Sequence, residues 1–144
     1  MIRVATFEDK DLLKPLFDAL EEDNVYKKFF KGYKFSDEFF EYYTSKYAER
    51  MLIVVEADYH PIGIAFFDIV PLALDMPTRM ARLTGFYIAP EYRKKGYMSE
   101  IREAFETWGK MVGADLLALG VTNKANPRKH GYKKYEVLYL KEIR

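Results

Sequence analysis

Leu83-Thr84-Gly85-Phe86-Tyr87-Ile88-Ala89-Pro90-Glu91-Tyr92-Arg93-Lys94-Lys95-Gly96-Tyr97-Met98-Ser99 is the stretch on which the reading of this chain turns. It runs as an apolar strand, a proline stop, a basic loop with one glycine, and the start of a helix. The first amides of a helix have no intrahelical acceptor, so a helix start is a ready anion site. Gly96 allows the backbone to come close to a ligand, and Arg93, Lys94 and Lys95 add positive charge. Together they describe a phosphate cradle. It is not a Walker A loop, which ends in Gly-Lys-Ser/Thr, nor the three-glycine dinucleotide fingerprint. The plain alternative is a solvated basic turn ahead of an amphipathic helix.

Toward the C-terminus the helix continues with Ile101, Ala104, Phe105, Trp108 and Met111 on one face and Gly113 just past its end. Residues 116–121 form a continuous apolar run, the pattern of a strand buried on both faces. Strand, helix and strand in this order imply a parallel pair joined by a right-handed crossover. Residues 123–129 are polar and hold at most a short helix, and residues 135–143 alternate as a last strand.

Toward the N-terminus, residues 79–88 complete the strand, and residues 71–78, with Pro71 and Pro77, read as a loop. Residues 51–57 and 62–70 form a hairpin around the turn Asp58-Tyr59-His60-Pro61. Upstream lies an aromatic segment. Phe29, Phe30, Tyr33 and Phe35 precede a helix capped by Ser36, along which Phe39, Phe40, Tyr43 and Tyr47 recur at helical spacing. Core packing explains most of these rings, and a substrate groove would explain some. Leu12, Leu13, Leu16, Phe17 and Leu20 stripe a first helix capped by Asp9 or Asp11, where Pro15 is tolerable only near the first turn. Residues 2–7 read as a short strand.

The bulk composition narrows the function. With 144 residues, 49% hydrophobic and 31% charged, the chain suits one domain over residues 1–144 with a real core. A net charge of +1 argues against a role in neutralising nucleic-acid phosphates. Cysteine is absent, which excludes disulfides, thiolate metal sites and a cysteine nucleophile. His60 and His130 are too few for a histidine-rich site, so no metal is expected. No stretch has the pattern of a signal peptide or the length of a bilayer span, so no membrane association is expected and a cytoplasmic setting is the simplest one.

On the run Tyr87-Ile88-Ala89-Pro90-Glu91-Tyr92-Arg93-Lys94-Lys95-Gly96-Tyr97-Met98, the chain resembles the GNAT (GCN5-related) N-acetyltransferases. Their strand ends in an apolar residue, often before a proline, and Arg/Gln-x-x-Gly-x-Gly/Ala opens the next helix. Val121-Thr122-Asn123 resembles the end of the family's fifth strand, and His130-Gly131-Tyr132 the Gly-Phe/Tyr before its last strands. The element order matches along the whole chain, while the motifs match from Leu83 to Tyr132. The resemblance implies an α/β (α+β) fold. Its central sheet would be mixed and mostly antiparallel, with splayed parallel strands 4 and 5 and helices on both faces. It implies acetyl-CoA as co-substrate and direct transfer of the acetyl group to an amine of a small molecule or protein acceptor. Dimers are common for this fold, so a homodimer is within its scope.

By the same resemblance, the amides of Lys95, Gly96, Tyr97, Met98 and Ser99, with Arg93 as anchor and Lys94 beside it, would hold the pyrophosphate. The backbone of Phe86 and Ile88 would pair with the pantetheine arm. The Ile88 N–H would stabilise the oxyanion, and Asn123 would bond the pantetheine or hold the strands apart. Three positions depart from the family pattern. Met98 replaces a small residue. Arg82 stands where some members keep a basic carboxylate, six residues before Ile88. The segment between Asn123 and Gly131 is short and lacks the tyrosine that protonates the leaving thiolate. His130, Tyr132 and Tyr135 are the substitute acids, and Asp68 the substitute base. The acceptor groove is expected between the aromatic segment, the loop 71–78 and the last strand, with Asp75 and Asp68 as the nearest acids for a cationic amine. A second reading is a catalytically inactive GNAT-fold protein that binds a partner through the aromatic segment. A third is nucleic-acid binding through Lys124, Arg128, Lys129, Lys133 and Lys134, which the net charge disfavours.

Overall fold

In the computed structural model, described over residues 1–23, 36–45, 49–72, 75–120 and 127–134, five strands form one sheet in the order β1-β2-β3-β4-β5. They are β1 (Ile2–Val4), β2 (Arg50–Ala57), β3 (His60–Leu72), β4 (Asp75–Ile88) and β5 (Leu116–Leu119). Three α-helices accompany them: α1 (Lys10–Asp23), α2 (Asp37–Thr44) and α3 (Tyr97–Met111). The first four strands pair antiparallel and β4 pairs parallel with β5, with α3 as the crossover. The expected mixed, mostly antiparallel sheet is the one observed. The expected last strand, 135–143, lies outside the described residues, as does the aromatic run 29–35.

The sheet separates two cores, because alternate side chains of a strand point to opposite faces. Leu52, Val54, Ile64, Phe66 and Tyr87 meet Leu13 and Phe17 of α1 and Phe40 and Tyr43 of α2. Ile53, Val55, Ala65, Phe67, Leu83 and Ile88 meet Ile101, Phe105 and Trp108 of α3. Met111 is 79% exposed and off the expected face, because the buried stripe of α3 runs through Ile101, Phe105 and Trp108 to Val112. Gly113 (φ 75°) follows that turn, the left-handed position that ends a helix.

Local chemistry explains the boundaries. The first strand stops at Val4, and Phe7–Asp9 form a 3₁₀ turn whose Asp9 carboxylate accepts from the Thr6 amide at 2.8 Å. Arg3 clamps that carboxylate with two bonds of 2.9 Å and donates to Glu56 at 2.7 Å. Pro15 lies deeper in α1 than the first turn, so the Asp11 carbonyl goes without its usual donor. Ser36 caps α2 as expected, accepting from the Phe39 amide at 3.2 Å.

Three expectations are corrected. The β2–β3 turn is two residues, Asp58 (φ 49°) and Tyr59 (φ 64°), and His60 and Pro61 belong to the strand. Residues 71–72 and 75–78 are strand and not loop, because β3 runs to Leu72 and β4 starts at Asp75. Pro77 fits there because residues 76–78 fall in a break of the β3–β4 register, between the pairs Leu72↔Asp75 and Pro71↔Arg79, where the ladder needs no amide from it. β5 is half-exposed rather than buried on both faces, since it closes the described sheet and pairs over four residues only.

Candidate functional site

The site is built where β4 outruns β5. Their pairing runs from Met80↔Leu116 to Leu83↔Leu119, and β4 goes on to Ile88 without a β5 partner among the described residues. At that point β4 also changes register against β3. Phe67 faces Leu83 and Phe66 faces Gly85, so Thr84 is an extra residue. Such a bulge bends the strand and increases its twist, which turns the rest of β4 away from β5. The Ala89 amide donates to the Ile62 carbonyl at 2.8 Å, so Ala89 faces β3. Backbone alternation then turns the amides of Phe86 and Ile88 the other way, into the gap. The Ile88 carbonyl is capped by Arg93, whose Nε donates to it at 2.8 Å while the guanidinium lies 5.4 Å from the Tyr87 ring centroid. Arg93 therefore braces the strand end, a contact that was not legible in the sequence, where Arg93 was expected to anchor the pyrophosphate.

The connection into α3 is a 3₁₀ turn, Pro90–Tyr92, followed by two left-handed residues, Lys94 (φ 62°) and Gly96 (φ 91°). Gly96 is the N-cap of the 15-residue helix, and no side chain caps that end. A Cβ built on Gly96 would meet nothing within 4 Å, so the approach to the first-turn amides is open. Lys94, Lys95 and Ser99 are exposed around it, with the Lys95 ammonium 5.6 Å from the Tyr92 ring centroid. Met98 packs with Tyr92 and Tyr97 against the α3-side core, so its side chain leaves the helix start instead of crowding it. Open amides, a left-handed glycine and two lysines fit a diphosphate on physical grounds.

On the opposite face of the sheet, Asp68 is 8% exposed and is the one buried charged side chain among the described residues. Its Oδ2 accepts from the Tyr43 hydroxyl at 2.5 Å and from Thr84 Oγ1 at 2.6 Å. The bulge delivers Thr84 to this contact, and α2 delivers Tyr43. Burial and the neighbouring carboxylate push the Tyr43 phenol well above its usual range. Arg82 stands directly across from Asp68 in the β3–β4 register and is exposed. Tyr43 figured in the sequence as a ring of the aromatic segment that the acceptor groove was expected to use, and Thr84 was missed. The one signal for Thr84 was a polar residue inside an apolar strand.

The remaining sequence candidates stand apart from this mouth. Tyr132 donates to Glu106 on α3 at 3.0 Å, and burial together with that carboxylate raises its phenol. His130 ends the exposed 3₁₀ turn Pro127–His130. Asn123 and Tyr135 lie outside the described residues, and only the backbone of Asp75 is described. Among the described residues no group of three or more acidic or histidine side chains could hold a metal, and no helix is long and apolar enough to cross a membrane.

A sequence model of the acetyltransferase (GNAT) family matches residues 13–135. No curated protein matches the sequence. Solved structures share the fold at low identity. A predicted acetyltransferase with acetyl-CoA from Clostridium acetobutylicum aligns with a TM-score of 0.74 at 19% identity, covering 98% of this chain and 95% of that one. Glucosamine-6-phosphate N-acetyltransferase from Arabidopsis thaliana aligns at 0.75 and 18% identity, covering 100% and 98%. The aminoglycoside N-acetyltransferase AAC(6')-Iy in complex with CoA aligns at 0.73 and 16% identity, covering 100% and 99%.

Proposed function

Because the chain belongs to the acetyltransferase (GNAT) family, we propose that it is an N-acetyltransferase that takes acetyl-CoA as co-substrate and transfers the acetyl group directly to an amine. The observation that carries this is the open start of α3 beside the unpaired end of β4. The amides of Gly96, Tyr97, Met98 and Ser99, with Lys94 and Lys95, hold the diphosphate. Phe86 and Ile88 offer backbone groups to the pantetheine arm, as an added strand would use them, and Asn123 is assigned a hydrogen bond to the same arm. Residues 1–144 act as one domain in this role.

Acetyl-CoA supplies the acetyl group as a thioester. The chain supplies placement and charge. The Phe86 amide, which faces the gap two residues past Thr84 and so nearest Asp68, donates to the carbonyl oxygen as negative charge develops there. Arg93 fixes the Ile88 carbonyl and so braces the strand that carries that amide. The acceptor enters from the face that holds Asp68, opposite the helix start. A carbon–nitrogen bond forms, the carbon–sulfur bond breaks, the amine gives up a proton and the leaving thiolate gains one. Asp68 orients the amine and serves as its proton acceptor, directly or through water. Of the two described candidates for proton donor, Tyr132 is the poorer, because its hydroxyl is engaged by Glu106 and its pKa is raised. His130 is the other.

The test is calorimetric titration with acetyl-CoA, repeated on Gly96→Glu. We expect micromolar binding that weakens at least ~10-fold in the variant, which sets a carboxylate among the phosphates and strains a φ of 91°. A well-folded wild-type protein that binds no acetyl-CoA overturns this reading in favour of a non-catalytic partner-binding role.

A further inference from the structure

Asp68 and Arg82 form an oppositely charged, directly cross-strand pair that does not pair. Their strands are hydrogen-bonded neighbours, and the two residues share a register position, hence a face of the sheet. Directly opposed residues have Cα atoms only about 5 Å apart, well within reach of an arginine. Yet the Arg82 side chain forms no ion pair, hydrogen bond or ring contact among the described residues. The other described arginines are all engaged. Arg3 binds Asp9 and Glu56, Arg79 binds Glu49, Arg102 binds Glu106, and Arg93 caps Ile88. Arg50 stacks its guanidinium 3.7 Å from the Tyr42 ring centroid, and Arg128 has a partner of its own.

Asp68 is likewise half used. Both hydroxyl donors, Tyr43 and Thr84, bond Oδ2, and Oδ1 accepts no hydrogen bond among the described residues. No buried side-chain oxygen lacks a partner there, so Oδ1 reaches the surface. A carboxylate that is otherwise buried, held by two hydroxyls on one oxygen and open on the other, is poised for a donor from outside. Beside it stands an exposed guanidinium with its planar donor fork free, the geometry that takes a carboxylate or phosphate. Both lie at the mouth opened by the Thr84 bulge.

We propose that the acceptor is a zwitterion, a small molecule carrying both an amine and an acid group. Its ammonium docks on Asp68 Oδ1 and its carboxylate or phosphate on Arg82. Cross-strand neighbours with Cα atoms about 5 Å apart suit one compact molecule, such as an amino acid or an aminoalkyl phosphate. A polycation such as a polyamine meets Arg82 as a like charge and is rejected. Arg82, in the place where other family members keep a carboxylate, thus becomes a specificity residue. This inference rests on the acetyltransferase reading above.

The test is thiol release from acetyl-CoA with three acceptor sets: free amino acids, aminoalkyl phosphates, and di- or polyamines without an acid group. We expect the zwitterions to exceed the polyamines in kcat/KM by roughly 10- to 100-fold, the worth of one charge-assisted contact. Comparison of the first two sets identifies the anion. Arg82→Gln, a change at an exposed position, should raise KM for zwitterions by a similar factor with kcat little changed. Arg82→Glu should move the preference toward diamines, which a merely structural role would not do. Polyamines preferred by the wild type, or an unchanged preference in Arg82→Glu, overturns the proposal. If acetyl-CoA still binds by calorimetry in that case, the acetyltransferase reading stands without it. Absence of acetyl-CoA binding overturns both.

Discussion

Tyr43 and Asp68 tie α2 to β3 through one hydroxyl, and the strength of that tie depends on pH. Burial and Asp68 raise the Tyr43 phenol above the value of about 10 that it has in an unfolded chain. A raised folded pKa means that the stability from Tyr43 is complete below pH ~10 and is lost as pH climbs above it, because the unfolded chain ionises first. We expect Tyr43→Phe to cost about 1–3 kcal/mol at pH 8 and to flatten the fall in stability between pH 10 and 11.5, as read by urea denaturation. A second residue works against the fold. Tyr59 holds φ 64° at the tip of the β2–β3 turn with its ring 91% exposed, so it has backbone strain and almost no packing. Tyr59→Gly should stabilise the protein by about 1 kcal/mol, seen as a higher thermal midpoint. At this scale the sequence was legible where one residue type has one use. Gly96 is such a case, read as the place where backbone can come close to a ligand at a helix start, and the structure adds its left-handed φ. It was silent on Arg82 and Asp68, whose relation depends on the pairing of two strands.

At the scale of elements, β4 carries the site and its neighbours set its shape. The hairpin of β3 and β4 is longer than its sequence suggests, because Pro71 and Pro77 mimic a loop while sitting where a strand can accept them. Periodicity cannot report that Pro77 falls in a break of the β3–β4 register. The same limit hid the bulge at Thr84. Local chemistry did mark the ends of α2 and α3, since Ser36 and Gly113 act on their own helices. The close approach of β3 to the end of β4 depends on Gly63, where a Cβ would lie 2.7 Å from the Tyr87 carbonyl oxygen. Backbone cannot yield there as a side chain would. Gly63→Ala should destabilise the fold by about 1–3 kcal/mol and should also weaken acetyl-CoA binding, since Ile88 is the residue paired with Gly63. Denaturation and calorimetry on the same preparation check the two effects together.

The whole molecule is a sheet with a separate core on each face, and the two faces divide the labour. The α3 face anchors the helix whose start meets the co-substrate, and the α1/α2 face holds Asp68 and the acceptor side. Leu13 and Phe105 are fully buried in different cores. We expect Leu13→Ala to cost about 2–5 kcal/mol and Phe105→Ala about 3–5 kcal/mol. In the double variant the losses should add within about 0.5 kcal/mol, because the sheet keeps the two sites from sharing partners. A larger deviation in denaturation experiments would mean that the cores communicate through the strands.

The sequence by itself determined the family, the order of the elements, the parallel β4–β5 pair and the glycine-centred loop at the start of α3. Each is written in neighbouring residues, as an apolar period, a stop, a cap or a motif. The tertiary structure alone decided the bulge at Thr84, the turn of Met98 into the core, the bracing of Ile88 by Arg93 and the meeting of Tyr43, Thr84, Asp68 and Arg82 at one mouth. These depend on the register between strands and on which face a side chain takes. A shift of one residue in pairing reverses that face, and no local pattern in the chain encodes it.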